Sequence, residues 1–366
     1  MRGAVEGYDP EFGANVKWDV PLLNGYAWVQ IPNRGSGDES FFGLNNPGLW
    51  RLIRDGEYDA VFCFTGYHRA SFWIARVCAW LSGVPFIFGT DSATLNSLDG
   101  RRWKRQGKKL LWPYLFRTAS QVIVASSGSR RLMLSLGIPA DRISLTPASV
   151  DNDWWVQESS KVDREKARTS WSISPDAFVI LFCAKFQPWK RPHDLLHAFR
   201  QVNSQNAFLV FAGEGPMRAE VEKEAAEMGL LERCRFLGFV NQSQLPCVYS
   251  ASDVLVLPSA YETFGFVVNE ASLCGCAVVA SAQVGAAEDL IAPIDAGLIY
   301  PCGRVEVLAQ ILTRIERDRE YCRKLGEAAK ARMAAWSPED TVAGMVQAVE
   351  AANKRRKRIA TVSGHV

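Results

Sequence analysis

Segment 261–281 (YETFGFVVNEASLCGCAVVAS) carries two glutamates, Glu262 and Glu270, on either side of a glycine turn. Together with the apolar run before it (253–258), the segment is predicted to form a strand, a loop and a helix. Thr263 can cap this helix and Gly275 can end it. A carboxylate at Glu270, one turn into the helix, suits a vicinal diol such as a ribose, because it can accept two O–H bonds. Glu262, before the helix, suits another group of hydroxyls. The alternative is that both glutamates only interact with the positive end of the helix dipole, worth about 0.3–1 kcal/mol each.

The same turn offers backbone donors. The N–H groups of Phe264, Gly265 and Phe266 are the unpaired donors of the first helical turn and form a site for an anion. Gly265 has no side chain, so a phosphate can approach the backbone closely there.

Three cations follow the first strand of the same half of the chain. In segment 184–199 (AKFQPWKRPHDLLHAF), Lys185, Lys190 and Arg191 come just past the carboxyl end of a strand and before an amphipathic helix. This places them near the glycine turn, where lysines act as point charges on phosphates. The alternative is a solvated loop with three basic residues.

Two further patterns are weaker. Segment 212–222 (AGEGPMRAEVE) is a strand, a Gly-x-Gly-Pro turn and a helix, and contributes Gly213 and Glu214 as candidates for donor binding. The backbone after Gly238, at Phe239 and Val240, can face a base.

The first half of the chain offers a second group of candidates. Tyr67 and His68 follow one predicted strand, and Asp91 and Ser92 follow another. His68 can orient acceptor or donor, and the other three are candidates on the acceptor side. The alternative for Asp91 is an ordinary helix cap.

Apolar runs alternate with amphipathic helical patterns along the chain, which indicates parallel sheets with helices on both faces. The fold class is therefore α/β, with two doubly wound, Rossmann-like domains facing across a cleft: 1–147, then 148–335, then a terminal helix in 336–366 that packs back on the first domain. The polar stretch 151–170 is predicted to be a linker. The predicted strands are 27–31, 59–64, 85–90, 121–126, 177–184, 207–213, 234–239, 253–258 and 276–281.

Composition limits the function classes. Apolar residues make up 48% of the 366 residues and charged residues 22%, as in soluble globular proteins, and the net charge of +3 does not indicate nucleic-acid binding. The nine cysteines form no C-x-x-C pair, which predicts buried thiols rather than disulfides or zinc ligands. No membrane span and no signal peptide are expected, so the predicted location is cytoplasmic.

A basic stretch stands out in the first half. Residues 101–117 (RRWKRQGKKLLWPYLFR) hold seven basic and no acidic side chains, interleaved with leucines and aromatic residues. This suits an anionic membrane surface, at the inner face of the cell membrane. The alternatives are a solvated helix face and nucleic acid, and the second fits poorly without further basic patches. The tail 354–358 (KRRKR) is predicted to be disordered.

The motifs FCAKFQPWK, GEGPMR, FLGF and SAYETFGFVVNEA occur in the order and spacing of the retaining glycosyltransferases of family 4, which have the GT-B fold. The chain resembles this family over most of its length, and the second domain resembles it best. Segment 16–26 (VKWDVPLLNGY) also looks like a segment of a bacterial branch. By resemblance, members carry a strand, a glycine-rich loop and a helix before residues 9–13, and this unit is expected to be missing here.

The resemblance implies roles for the candidate residues. Glu270 would hold the ribose of a nucleotide sugar, and Glu262 would lie by the donor sugar. The turn at 264–266 would donate to sugar and diphosphate, while Lys185 and Lys190 would clamp the diphosphate. Position 185 is usually arginine in the family.

The function implied is transfer of a hexosyl-type sugar, with retention, from a UDP- or GDP-sugar to a glycan or lipid-linked acceptor in cell-envelope or polysaccharide biosynthesis. The residues predicted to take part in catalysis are Glu262, Lys190 and His68, and no cofactor or metal is expected. One alternative is a non-catalytic relative that binds a nucleotide or acts as a scaffold. A dinucleotide oxidoreductase would need G-x-G-x-x-G after a strand, and the sequence has no such pattern.

Overall fold

A computed structural model describes residues 6–9, 12–21, 23–96, 101–292 and 296–363. The chain divides into two compact units. The first contains Gly25–Ala148 and Glu339–Val366, and the second contains Arg2–Asn24 and Ser149–Pro338. The described residues between positions 6 and 24 thus group with the second unit, whereas the predicted boundary places them in the first domain.

The strands are β1 (Glu6–Asp9), β2 (Ala14–Lys17), β3 (Val61–Cys63), β4 (Phe86–Thr90), β5 (Gln121–Val124), β6 (Ile143–Leu145), β7 (Phe178–Cys183), β8 (Ala207–Ala212), β9 (Cys234–Gly238), β10 (Val254–Leu257), β11 (Ala277–Ser281) and β12 (Leu298–Tyr300). The α-helices are α1 (Leu49–Asp55), α2 (Ala70–Leu81), α3 (Arg102–Arg117), α4 (Ser127–Ser135), α5 (Asn152–Ser160), α6 (Arg164–Ser170), α7 (Pro192–Arg200), α8 (Arg218–Glu227), α9 (Leu245–Ala251), α10 (Phe266–Leu273), α11 (Val305–Arg317), α12 (Arg319–Arg332) and α13 (Pro338–Ser363).

The first unit is built on a four-stranded parallel sheet in the order β3-β4-β5-β6. Successive side chains of β4 enter different clusters, because side chains alternate between the faces of a strand. Phe88 packs in a core with Phe72 of α2 and Phe116 of α3, whereas Ile87 packs with Ala348 of α13. Helices therefore cover both faces of this sheet.

The second unit has a six-stranded parallel sheet in the order β12-β11-β10-β7-β8-β9. Every residue of the central strand β7 is buried, which explains its unbroken apolar sequence, FVILFC. A two-stranded antiparallel hairpin, β1–β2, also belongs to this unit. The two sheets confirm the predicted α/β class with two parallel-sheet domains.

The predicted strand at 27–31 is wrong. The backbone there forms no strand, and the side chains of Trp28 and Val29 are 50% and 61% exposed. The Nδ2 group of Asn46 donates to the carbonyl of Ile31 at 3.0 Å, so a side-chain amide takes the place of a neighbouring strand.

The predicted linker at 151–170 is also wrong, because it folds into α5 and α6. Asp151 and Asp163 cap these helices by accepting hydrogen bonds from the amides of Trp154 and Lys166, each at 3.0 Å. Trp155 is buried, which attaches α5 to the second unit.

The tail at 354–358, predicted to be disordered, forms part of α13. Arg355 donates from Nη1 to the carbonyl of Ser120 at 3.1 Å and forms an ion pair with Asp141 at 3.2 Å. Among the described residues, no helix is both long and apolar enough to cross a membrane.

Candidate functional site

The loops that follow β7, β8 and β9 are hydrogen-bonded to one another at the carboxyl edge of the large sheet. The amide of Phe186 donates to the carbonyl of Glu214 at 2.8 Å, and the amide of Gly213 donates to the carbonyl of Gly238 at 2.8 Å. Ligands of open parallel sheets bind at this edge. The structure therefore brings together the segments that carry most of the candidates.

Close packing at this edge explains the Gly-x-Gly pattern. Gly213 has a φ of +147°, and a Cβ there would lie 2.0 Å from the carbonyl oxygen of Ala184. At Gly215, also at +147°, a Cβ would lie 2.7 Å from the carbonyl oxygen of Phe186. Between them, Glu214 forms an ion pair with Arg218.

The glycine turn between β10 and α10 is braced by the chain after β11. The amides of Gly285 and Ala286 donate to the carbonyls of Glu262 and Phe264 at 3.1 and 2.8 Å. Gly265 has a φ of +101° and is the residue before the helix, a position where a glycine is needed. In the described part of the chain, the amides at 264–266 donate no hydrogen bond, so they are free to donate to a ligand.

Two expectations for this turn need correction or limits. Thr263 does not cap the helix, because α10 begins one residue after Gly265 and has no side-chain cap. Phe264 is buried and its ring stacks on Trp336, with centroids 6.0 Å apart, so only its backbone faces the turn. The ring of Phe266 is exposed.

Lys190 lies beside Glu262. Their side chains form an ion pair, and a hydrogen bond from the amide of Ala260 to the carbonyl of Trp189, at 2.7 Å, joins the two loops. Each side chain keeps only about one sixth of its surface exposed, 16% and 15%. The structure thus brings together the cation and the carboxylate that the sequence placed 72 residues apart.

Lys185 and Phe239 contact the hairpin β1–β2. The ammonium group of Lys185 lies 3.0 Å from Oδ2 of Asp9 and 4.6 Å from the ring centre of Phe12. Phe239 meets the ring of Phe12 edge-on at 5.2 Å and that of Trp18 at 6.2 Å. The next residue, Val240, is half-buried. Sequence reasoning missed the hairpin, because its strands have only four residues each and no clear apolar alternation.

Arg191 has a left-handed backbone, with a φ of +53°, and its guanidinium binds Asp194 of α7 in two places. Nε lies 2.6 Å from Oδ2 and Nη2 lies 3.0 Å from Oδ1. The hydrogen bond to Asp194 raises the pKa of Arg191. Arg191 therefore binds its own helix, unlike the neighbouring Lys190.

Glu270 is a buried carboxylate in α10. Burial raises its pKa to about 7, and a hydrogen bond from the hydroxyl of Tyr249, 2.7 Å from Oε2, opposes this shift. Tyr249 was missed from the sequence, where nothing distinguishes it from other apolar positions of α9.

The candidates of the first unit lie after β3 and β4. The hydroxyl of Tyr67 accepts a hydrogen bond from Nε1 of Trp112 at 3.1 Å, and its ring meets that of His68 edge-on at 6.1 Å. Partial burial lowers the pKa of His68.

Asp91 and Ser92 lie in an irregular segment. The carbonyl of Asp91 accepts from the hydroxyl of Ser129 at 2.9 Å, and the amide of Ser92 donates to Oγ1 of Thr90 at 3.2 Å. Residues 92–96 are not helical, so the helix-cap alternative for Asp91 is wrong. Among the described residues, no group of three or more His, Cys, Asp or Glu side chains is arranged to hold a metal ion.

Comparison with known proteins identifies two family domains. Residues 163–332 match glycosyl transferases group 1, and residues 7–148 match the glycosyl transferase 4-like domain. A D-inositol 3-phosphate glycosyltransferase from Rhodococcus erythropolis is 31% identical over 354 residues, covering 90% of this chain and 78% of the relative. An uncharacterized glycosyltransferase from Methanocaldococcus jannaschii is 32% identical over 250 residues, 67% of this chain and 63% of the relative. A D-inositol 3-phosphate glycosyltransferase from Nocardia farcinica is 26% identical, covering 81% and 67%.

Solved structures show the same fold. HepE from Anabaena, in complex with UDP, matches with a TM-score of 0.68 and 21% identity, over 92% of this chain and 85% of that one. A glycosyltransferase from Rickettsia africae matches with a TM-score of 0.71 and 18% identity, over 84% and 80%. With its two parallel-sheet domains, its two family matches and its Rhodococcus relative, the chain belongs to the family 4 glycosyltransferases of GT-B fold.

Proposed function

We propose that the protein is a retaining hexosyltransferase that uses a UDP- or GDP-sugar. The observation that carries this proposal is the surroundings of the glycine turn. Three unpaired amides at 264–266 lie between Glu262, paired with Lys190, and the buried Glu270. Amides and an ammonium group suit a diphosphate, and carboxylates suit the hydroxyls of the two sugars that flank it.

The same geometry suits departure of a diphosphate. As the sugar–phosphate bond breaks, the sugar gains oxocarbenium character and negative charge grows on the leaving oxygen. Lys190 and the amides of the turn stabilise this charge without donating a proton. The acceptor oxygen bonds to the anomeric carbon on the face that the diphosphate leaves, and its proton passes to the leaving phosphate oxygen, so the configuration is retained.

A diphosphate would change the surroundings of two ion pairs. It would share the ammonium group of Lys190 with Glu262, and Glu262 would then be able to accept hydrogen bonds from sugar hydroxyls. The ammonium group of Lys185 would leave the carboxylate of Asp9 and pair with phosphate. Because these cations and amides supply the positive charge, we propose that no metal ion takes part.

The relatives support the donor class. HepE binds UDP in its crystal structure, and the curated relatives are named as sugar transferases. For this chain we propose a nucleotide-sugar donor and a glycan or lipid-linked acceptor, in cell-envelope or polysaccharide biosynthesis.

Release of nucleoside diphosphate from a set of UDP- and GDP-sugars tests the proposal, with and without EDTA. We expect release from at least one donor, unchanged by EDTA, and NMR of the product should show the anomeric configuration of the donor. Binding of UDP or GDP without release from any donor and acceptor would favour the non-catalytic alternative. Absence of both binding and release would refute the proposal.

We also propose contact with an anionic membrane surface through α3. This helix buries Trp112, Leu115 and Phe116 in the first unit and leaves Trp103 and Leu110 exposed, at 67% and 73%. Leu111 and Tyr114 are exposed as well. Exposed apolar side chains among basic ones are typical of a helix that lies in the headgroup region.

A further inference from the structure

A buried chain of polar groups leads to Glu270. The hydroxyl of Tyr249 lies 2.7 Å from Oε2 of Glu270 and 3.4 Å from Sγ of Cys183. The three side chains come from α10, α9 and the last position of β7, so they join three elements of the second unit. Tyr249 has no exposed surface, and Glu270 keeps 8%.

The direction of these hydrogen bonds follows from proton counting. A phenol has one proton, and the charged carboxylate is the stronger acceptor, so Tyr249 donates to Glu270. Sγ of Cys183 is then only a weaker, secondary acceptor for the same hydroxyl. Burial raises the pKa of Tyr249 above its usual value and that of Cys183 to about 12, so both groups stay protonated near neutral pH.

This arrangement distinguishes the two oxygens of the Glu270 carboxylate. Oε2 is held by Tyr249, whereas Oε1 has no hydrogen-bond partner among the residues that the structure describes. We propose that Tyr249 is a positioning residue, which fixes Oε2 so that Oε1 and the remaining lone pairs are presented to the ribose hydroxyls. The inference rests on the proposed function, since it assumes that Glu270 binds a nucleotide.

The same hydrogen bond opposes the protonation of Glu270. Three titratable groups interact with its carboxylate: Cys183 from β7, Tyr249 from α9 and Cys274, which directly follows α10. The hydroxyl of Tyr249 is the group that lowers the pKa of Glu270 against burial, which brings it to about 7. Without this donor, Glu270 would accept a proton at a higher pH.

Tyr249→Phe removes one oxygen and keeps the ring, which packs 5.8 Å from the ring of Trp155. The matched control is Tyr300→Phe in β12, another buried tyrosine of the same unit, whose hydroxyl has no hydrogen-bond partner among the described residues. Calorimetric titration with UDP and with GDP between pH 6.5 and 9.5 measures the affinity of parent, both variants and Glu270→Gln.

We expect the affinity of the parent to rise with pH, with a midpoint near pH 7. Glu270→Gln measures the part of this pH dependence that does not come from Glu270, and the rise in the parent should exceed it. In Tyr249→Phe the midpoint should move up by about one unit, the size expected for a hydrogen bond to a charged group. Near pH 7 this is a loss of roughly fivefold in affinity, and the loss should shrink towards pH 9.5. Tyr300→Phe should follow the parent.

The outcomes separate the two proposals. If no nucleotide binds the parent, or Glu270→Gln binds like the parent at every pH, the proposed function of Glu270 fails. If Glu270→Gln removes the midpoint but Tyr249→Phe leaves it in place, or lowers affinity equally at all pH values, the positioning role of Tyr249 is refuted.

Should Tyr249→Phe fail to fold, parent protein with 3-fluorotyrosine in place of tyrosine provides a second measurement. Fluorination makes the phenol a stronger donor, so the midpoint should move down. An unchanged midpoint in the fluorinated protein would overturn the inference.

Discussion

The ammonium group of Lys190 is paired with the carboxylate of Glu262, and both groups are largely shielded from water. Pairing keeps each charge compensated before a ligand binds, and it fixes the position of two long side chains. An ammonium group held in this way needs little reorganisation when charge develops nearby, which is the condition for electrostatic stabilisation of a transition state.

Replacing Lys190 should therefore affect turnover more than binding. We expect Lys190→Ala to lower kcat for release of nucleoside diphosphate by about 10²–10³, because charge on the diphosphate grows as the sugar leaves. Lys190→Arg should retain part of the rate. Steady-state kinetics with a saturating donor measures the effect.

Arg191→Ala is the matched control, since Arg191 is the adjacent cation but binds Asp194. We expect its kcat to stay within about threefold of the parent. If Lys190→Ala also stays within threefold, Lys190 does not stabilise the leaving group, and Lys185 becomes the next residue to test.

Glu270 should make the folded protein less stable at alkaline pH. The pKa of Glu270 is about 7 in the folded chain, against 4.5 for an ordinary exposed glutamate, so the folded state holds more protons between these pH values. The contribution of this carboxyl to the free energy of unfolding is therefore complete below pH 4.5 and is lost as pH rises through 7. We expect Glu270→Gln to be more stable than the parent by about 1–3 kcal/mol at pH 8 and close to it at pH 5.

Urea unfolding of parent and Glu270→Gln at the two pH values measures this difference. At pH 8 the same variant should bind UDP or GDP more weakly than the parent, so stability and affinity should change in opposite directions. A Glu270→Gln protein that is less stable than the parent at pH 8 would show that the buried carboxylate does not lower the free energy of unfolding.

Gly265 is expected to tolerate no side chain. Its φ is +101°, and a Cβ would lie 3.2 Å from Cγ of Glu262 and 3.4 Å from Cγ1 of Val284. We predict that Gly265→Ala costs about 1–3 kcal/mol of stability and weakens nucleotide binding, because the amides of the turn move.

Gly275→Ala, at the other end of the same helix, separates backbone strain from contact. Its φ is also positive, +75°, but a Cβ there has nothing within 4 Å. Thermal unfolding should show a loss in both variants, whereas nucleotide titration should show weaker binding in Gly265→Ala alone. Equal affinities in the two variants would argue against a role of the turn in binding.

The surface of α3 can be tested with vesicles. Leu110 and Tyr114 lie one turn apart and are exposed, so Leu110→Ser with Tyr114→Ser should reduce co-sedimentation with anionic vesicles. Val342→Ser with Val346→Ser, an equally spaced and exposed pair on α13, is the control. Binding of the parent should also fall with salt, because exposed charges are screened over about 8 Å at physiological ionic strength. Equal binding to anionic and neutral vesicles at low salt would exclude the proposed contact.

Much of the second unit could be predicted from its sequence, since buried parallel strands are read as unbroken apolar runs. Strands β7 to β11 and the turn at Gly265 follow from local patterns of this kind. The directions in which side chains point do not follow from such patterns. Arg191 binds Asp194 rather than facing Lys190, which depends on a left-handed backbone that the sequence RPHD does not reveal.

Contacts distant in sequence also escaped prediction. The interaction of Asp9 with Lys185 joins residues 176 positions apart, and no local period indicates it. No local pattern distinguishes Tyr249, and the partner of its hydroxyl, Glu270, is known only once α9 and α10 are packed.

The segment at 151–170 bears on how the second unit could be made as a separate protein. Arg168 of α6 is 2% exposed and donates to the carbonyls of Ala251, Pro175 and Ala177 at 2.9, 2.7 and 2.7 Å. It also forms an ion pair with Asp253 at 2.8 Å. A recombinant fragment cut after this segment would leave three carbonyls without this donor and Asp253 without its ion pairs, at the amino ends of β7 and β10. An expression boundary placed before Asp151 keeps both helices packed against the amino edge of the six-stranded sheet.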